Sequence, residues 1–257
     1  MTQAVLSEAV ARQFSRAAPQ YDRLASIQQH IAAQAIRQIP VSSGRLLDIG
    51  CGTGRNTALL AERGFDASGA DLARGMVEYA SLNYPHLSFC VADAQHLPFN
   101  NDAFDVVFSS MAMQWCQDIN LAMSEVARIL RHAGIATLSI MTDGSFGQLN
   151  ASRRASGLSA VTNIMASHEK WLTAAQESGF TVLQAENIAY TDTFADILSL
   201  LRSIKSVGAG VRCDNASVSA LSRRQLTLLE SAYQRYKTPE GLLPLTYRVS
   251  HLVLEKQ

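Results

Sequence analysis

The sequence predicts an α/β fold built on an open, mostly parallel sheet. Three observations predict it. Leu46–Gly54 reads LLDIGCGTG, an apolar run that ends in glycines at positions 50, 52 and 54. Arg55–Arg63 then reads as a helix, so the order is strand, glycine turn, helix. Short apolar runs and amphipathic stretches go on alternating as far as Met141. In such a sheet, ligands sit outside the carboxyl ends of strands at a turn of this kind.

Taken in order, Ser7–Arg16 and Ser26–Gln38 carry helical apolar stripes, and the stretch Ala17–Ala25 lies between them. Pro19 is expected to interrupt the helix there. The glycine turn lets backbone pass close to a ligand where any Cβ would collide. Phe65–Asp71 is a second strand ending in a carboxylate, and Ala73–Ala80 is a helix. Leu87–Asp93 and Phe104–Ser110 are the third and fourth strands. Asp118–Leu130 is a helix, Arg131–Gly134 a turn and Ile135–Met141 the fifth strand.

The alternation breaks at Thr142, and Thr142–Ser167 is polar and glycine-containing, which suits part of a lid. His168–Ser178 is a helix closed by Gly179. Phe180–Thr193 and Leu245–Leu254 are the last two strands, with amphipathic helices over Phe194–Val207 and Ser219–Tyr236 between them.

Composition narrows the function. The 257 residues fit one large domain, and 22 basic residues balance 22 acidic ones. That neutrality gives no global pull toward nucleic acid or a membrane surface. No apolar run approaches the roughly 20 residues that span a bilayer, and the first residues lack the apolar core of a signal peptide. Cys51, Cys90, Cys116 and Cys213 show no C-x-x-C spacing, which argues against a zinc site or a disulfide framework. A cytoplasmic location is expected.

The glycine spacing separates two ligand classes. A dinucleotide turn needs G-x-G-x-x-G, but the third glycine's position is Arg55. Asp48 just before the glycines would repel a pyrophosphate, yet could hold a cationic amino group. Asp71, at the end of the second strand, is placed to accept both hydroxyls of a ribose.

D-x-G-x-G-x-G over Asp48–Gly54 resembles motif I of class I S-adenosylmethionine-dependent methyltransferases. The resemblance implies a Rossmann-like fold: a seven-stranded, mostly parallel sheet with flanking helices and a helical lid. It implies one domain over residues 1–257, with a helical cover over 1–40 and lid segments over 143–167 and 194–240. S-adenosylmethionine is the implied cofactor and S-adenosylhomocysteine the product; no metal is implied. Gly50, Cys51, Gly52 and Gly54 join Asp48 in the implied cofactor site, with Asp71 on the ribose and Leu72 beside the adenine. Met76 faces the adenine or the core. Asp93 and Ala94 match the family's adenine contacts, and Ser109 near the end of the fourth strand completes the set.

Three further stretches resemble the malonyl-acyl-carrier-protein O-methyltransferases of biotin synthesis. They are FSRAAPQYDRLASIQ, SSMAMQWCQD, and the pair LLRSIKSVGAG with LLPLTYRV. That resemblance implies methyl transfer to the free carboxylate of a malonyl thioester, on acyl carrier protein or coenzyme A. Tyr21, Gln114 and Trp115 are then positioning residues, although Tyr21 and Trp115 also read as packing aromatics. Arg202 or Lys205 would orient the carboxylate, with Tyr21, Gln114 and Tyr247 around it. No general base is expected, because a carboxylate is already ionised near pH 7. Arg153, Arg154, Arg202, Lys205, Arg212, Arg223 and Arg224 are the expected docking face for an acidic carrier.

A quinone, a sterol or a small acid is the alternative substrate on the same fold, and a catalytically inactive cofactor-binding scaffold is the alternative of another class. A nucleic-acid substrate is disfavoured by the neutral charge and by the lack of an N-P-P-Y-type tetrapeptide after the fourth strand. A monomer without membrane or nucleic-acid partners is expected.

Overall fold

The computed structural model describes residues 3–159, 165–206 and 221–257, apart from the side chains of residues 3–7, 205 and 206. Two helices, α1 (Gln3–Leu24) and α2 (Ser26–Gln38), lead into alternating strands and helices. These are β1 (Gly44–Ile49), α3 (Arg55–Glu62), β2 (Phe65–Asp71), α4 (Arg74–Asn83), β3 (Ser88–Val91), β4 (Phe104–Ser110), α5 (Ile119–Ile129) and β5 (Leu130–Met141). Then come α6 (Gly147–Ala155), α7 (His168–Glu177), β6 (Phe180–Phe194), α8 (Ile197–Ser206), α9 (Arg223–Tyr233) and β7 (Leu243–Lys256).

The seven strands form one sheet in the order β3-β2-β1-β4-β5-β7-β6. The first five are parallel, and β7 runs antiparallel between β5 and β6. The chain steps outward from β1 to β3, then returns across β1 to β4. That reversal opens a crevice at the carboxyl ends of β1 and β4.

Strand alternation divides the core between the two faces. Leu47, Ile49, Val107 and Leu138 pack with Met123 and Val126 of α5 and Trp171 of α7. Leu46, Val106 and Phe108 pack with Ile36 of α2 and Leu60 of α3. A separate apolar cluster joins Leu245, Tyr247 and Val249 of β7 to Leu149 of α6, Ile204 of α8 and Leu229 of α9. It roofs the crevice from the side of the late strands.

Pro19 does not break α1, which runs through it to Leu24. The missing N–H removes one helix bond, but packing holds the helix on both sides of the proline: before it Val10 and Ala18 are sealed, and after it Tyr21 packs in one cluster with Ala18, Ala73 and Met76. The break falls instead at Ala25, where φ −96° and ψ 40° leave the helical region. The expected turn at Arg131–Gly134 lies inside β5, as an irregular stretch where the register with β4 shifts and Ala133 takes φ 57°. Ser219 and Ala220 lie outside the described residues, and α9 starts at Arg223 behind a capping box of Ser222 and Gln225. No helix among the described residues is long and apolar enough to cross a membrane.

Candidate active site

The crevice is shaped first by the turn after β1. Gly50 takes φ 72°, and a Cβ there would collide with Ala112 in the loop after β4. Gly52 takes φ 55°, and a Cβ there would meet nothing within 4 Å. Its missing side chain therefore leaves a cradle rather than a packing contact. Gly50 N–H and Cys51 N–H both donate to Ala70 O, at 2.7 and 3.1 Å, which pins the turn to β2.

Asp71 at the end of β2 is held from two sides. Gly52 N–H donates to its Oδ2 at 2.9 Å and Ala73 N–H to its Oδ1 at 2.7 Å. Burial raises its pKa, and the two N–H groups counter that. Each oxygen keeps acceptor capacity for a ligand. Beyond β3, Asp93 accepts from Gln95 N–H at 2.9 Å. Asp71, Leu72, Met76, Asp93 and Ala94 all line one cleft, with about 790 Å³ of empty space in it and at its open mouth. Its polar lining carries the two aspartates and the bare backbone at Gly50 and Gly52. Its apolar wall carries Ile49, Met76 and Met113. An adenosyl group with a charged amino-acid tail suits that division.

Helix α1 covers this cleft. Val10, Ala11, Phe14 and Tyr21 face it. Ser15 Oγ accepts from Gly75 N–H at 3.1 Å, and a Cβ on Gly75 would sit 2.9 Å from the Ser15 Cα. Asp22 accepts from Thr53 Oγ1 at 2.8 Å, which ties the end of α1 to the glycine turn. Phe14 meets Trp115 edge-on at 5.7 Å.

Two smaller cavities adjoin the cleft, and Tyr21 lines all three. One, of about 370 Å³, lies between Phe14, Gln28, Gln114, Trp115, Ile204 and Tyr247. The other, of about 430 Å³, reaches from Gln28 past Ser110 to Cys51 and Thr53. Burial holds the phenols of Tyr21 and Tyr247 well above their ordinary range. Met111, between cleft and first side cavity, takes φ 57°, a costly conformation that such sites concentrate.

Several expected residues lie elsewhere. Asp48 is not on the cleft wall. It is buried under the turn and accepts from Thr57 Oγ1 at 2.7 Å, and burial pushes its pKa up to about 7. Gly54 caps α3 against Ala80 and Phe89, away from the cleft. Ser109 is fully buried and donates to Ile49 O at 2.8 Å. Its neighbour Ser110 lines the cleft instead, because successive strand side chains alternate in direction. Cys51 lines only the second side cavity. Arg202 is exposed on α8 and lines none of the three cavities. The side chain of Lys205 and all of Arg212 lie outside the described residues. Arg153 is buried and donates to Ser159 O at 2.6 Å, so it adds nothing to an outer basic face.

Gln28, Phe14 and Ser110 escaped the site reading. For Ser110 the strand period was available; Gln28 has no local signal beyond its place in the stretch FSRAAPQYDRLASIQ.

The family model described as "Methyltransferase domain" matches residues 47–138. The malonyl-[acyl-carrier protein] O-methyltransferase of Herminiimonas arsenicoxydans is 34% identical over 253 residues, covering 95% of this chain and 94% of its own. The biotin biosynthesis bifunctional protein BioHC of Cellvibrio japonicus is 32% identical over 256 residues, 98% of this chain and 51% of its own. The chain thus spans about half the length of that bifunctional relative. Among solved structures, YcgJ of Bacillus subtilis superposes with a TM-score of 0.61 at 18% identity, covering 89% of this chain and 99% of that one. At that identity the likeness shows the fold alone.

Proposed function

We propose the reaction from the family: the chain belongs to the malonyl-[acyl-carrier protein] O-methyltransferases, with relatives a third identical over nearly its full length. It is an S-adenosylmethionine-dependent O-methyltransferase of biotin synthesis. Its acceptor is the free carboxylate of a malonyl thioester carried on acyl carrier protein.

When bound, S-adenosylmethionine supplies an electrophilic methyl group on a sulfonium and leaves as S-adenosylhomocysteine. The residues of the large cleft fit it. Asp71 would take the ribose hydroxyls with the oxygen capacity that Gly52 and Ala73 leave open. Asp93, Ala94, Leu72 and Met76 would hold the adenine. The cradle at Gly52 would admit the amino-acid tail.

The observation that carries the acceptor assignment is the chemistry of the first side cavity. Its described lining holds no His, Asp, Glu, Lys or Arg, only Tyr21, Gln28, Gln114, Tyr247 and apolar side chains. A phenol or carbon acceptor would need a base there. The two tyrosines, with their pKa values raised by burial, are neutral and supply none. A carboxylate is already ionised and needs only to be held in line and kept dry. Tyr21, Trp115 and Tyr247 do that work, with Gln114 closing the chamber beside them. Arg202 joins Arg154, Arg223 and Arg224, all exposed, on an outer basic face that meets the acidic carrier.

The test is methyl transfer from labelled S-adenosylmethionine to malonyl-acyl carrier protein, with the acetyl form as control. Label on the malonyl form alone, released by mild base as an ester would be, is the expected result. Cofactor binding without transfer would overturn the acceptor assignment.

A further inference from the structure

Gln28 stands in the first turn of α2, next to Gln29. Gln29 is committed: its Nε2 donates to Asp22 O at 2.6 Å and ties α2 to the end of α1. Gln28 faces both side cavities instead. Its Oε1 is sealed from solvent and has no hydrogen-bond partner among the described residues.

Two other buried polar atoms in the same region are also without partners. They are Ser110 Oγ, at the end of β4, and Gln114 Oε1, in the 3₁₀ turn Met113–Trp115. The three groups come from separate elements and converge around Tyr21. The remaining atoms of this kind among the described residues, on Gln38, Thr137, Gln148 and Trp171, line none of the three cavities. Folded interiors seldom leave such groups unpaired. Three together outline the polar end of a ligand.

The three are not equivalent. Gln114 already donates its Nε2 to Met111 O at 2.7 Å, so it offers the cavity an acceptor. An acceptor repels a carboxylate. The amide of Gln28 is unengaged at both ends and can turn its N–H₂ toward an anion. Ser110, which lines the cleft as well, can donate its O–H from the cofactor side.

We propose that Gln28 reads the free carboxylate of the acceptor, donating to the oxygen that does not take the methyl group. This rests on the malonyl reading given above. A neutral amide suits the task. It fixes the carboxylate without drawing off the electron density that the attacking oxygen needs, as a guanidinium gripping both oxygens would. It also sets specificity. An acetyl or other uncharged acyl end leaves the amide unpaired and is rejected.

The experiment is calorimetric titration of malonyl- and acetyl-acyl carrier protein into enzyme loaded with S-adenosylhomocysteine. Wild type binds the malonyl form more tightly. Gln28→Met keeps the length and removes the donors. It should cut the malonyl preference about tenfold or more, with acetyl and S-adenosylhomocysteine affinities unchanged. Gln28→Glu sets a carboxylate against a carboxylate, and should bind the malonyl form more weakly still. An unchanged preference in Gln28→Met, or equal malonyl affinity in the Met and Glu variants, overturns the proposal. If Gln28→Met fails to fold, Gln28→Asn against Gln28→Glu decides, because only the amide should retain a preference; equal preference overturns the role. No preference in wild type itself would instead overturn the malonyl reading, and the inference with it.

Discussion

Replacing Asp48 by Asn should make the protein's stability rise with pH where these two groups, Asp48 and His251, leave wild type nearly level. Asp48 is sealed beneath the glycine turn and burial pushes its pKa up to about 7, against an ordinary value near 4. Between those values the folded state keeps a proton that the unfolded chain releases. Stability from this group is therefore full at low pH and lost as pH rises through about 7. From pH 5 to pH 8 the loss is roughly 2.5 kcal/mol. His251 acts with the opposite sign. It lies between Ser139 and Tyr190, bonded at 3.0 and 2.8 Å, and burial pushes it down to about 4. The folded state stays neutral there while the unfolded chain protonates near 6.5. Stability from His251 thus rises by roughly 2 kcal/mol over the same interval. In wild type the two nearly cancel. In Asp48→Asn the carboxyl's part disappears, and the variant should gain roughly 2 kcal/mol between pH 5 and pH 8. Urea unfolding of both proteins at four pH values measures this. Parallel pH profiles for the two would refute the assignment of a raised, buried carboxyl to Asp48.

Three further perturbations test the site. Gly52→Ala meets no atom within 4 Å and carries only the cost of its positive φ, about 1–2 kcal/mol. It should fold, yet bind S-adenosylmethionine at least tenfold more weakly by calorimetry, because the methyl occupies the cradle. Gly75→Ala drives a Cβ to within 2.7 Å of the Ser15 Cβ and 2.9 Å of its Cα. It should push α1 off the cleft, at an overpacking cost of about 1–3 kcal/mol, seen as an earlier melt and weaker cofactor binding together. Arg223→Glu with Arg224→Glu should weaken use of the acyl carrier protein while leaving cofactor affinity intact. Both residues stand exposed in the first turn of α9, where acidic side chains suit the helix end, so a folding defect is not expected; unchanged kinetics on the carrier-linked substrate would remove them from the docking face.

What the sequence made legible follows the range of the forces involved. The turn at Gly50–Gly52 and the carboxylate of Asp71 are set by strand-turn-helix patterns a few residues long, and both stand on the cleft wall. The order of strands follows from the same alternation. Direction at the end of a strand was harder: Ser109 and Ser110 differ only by the period of two, and one step exchanges core for cleft. Asp48 belongs to the turn's motif, but whether its carboxylate faces a ligand or Thr57 depends on α3 packing above it. Pro19 misled because propensity is local and the packing of α1 on α4 is not. The side cavities were illegible for the same reason. Gln28, Ser110 and Gln114 are far apart in the chain, and only the closed structure brings their unpaired atoms together.

The place of β7 has a consequence for synthesis. It is the last strand of the sheet to be made, yet it lies inside the sheet, and β6 pairs with nothing else. Until β7 leaves the ribosome, β5 presents a raw apolar edge and β6 has no ladder to join. A nascent chain is therefore exposed to mispairing from the completion of β5 at Met141 until β7 is made. The roof over the crevice, built on Leu245, Tyr247 and Val249, can close only in that final step. The nucleotide-binding half of the sheet can thus assemble well before the acceptor chamber exists. During that interval a newborn chain would hold cofactor without the means to use it.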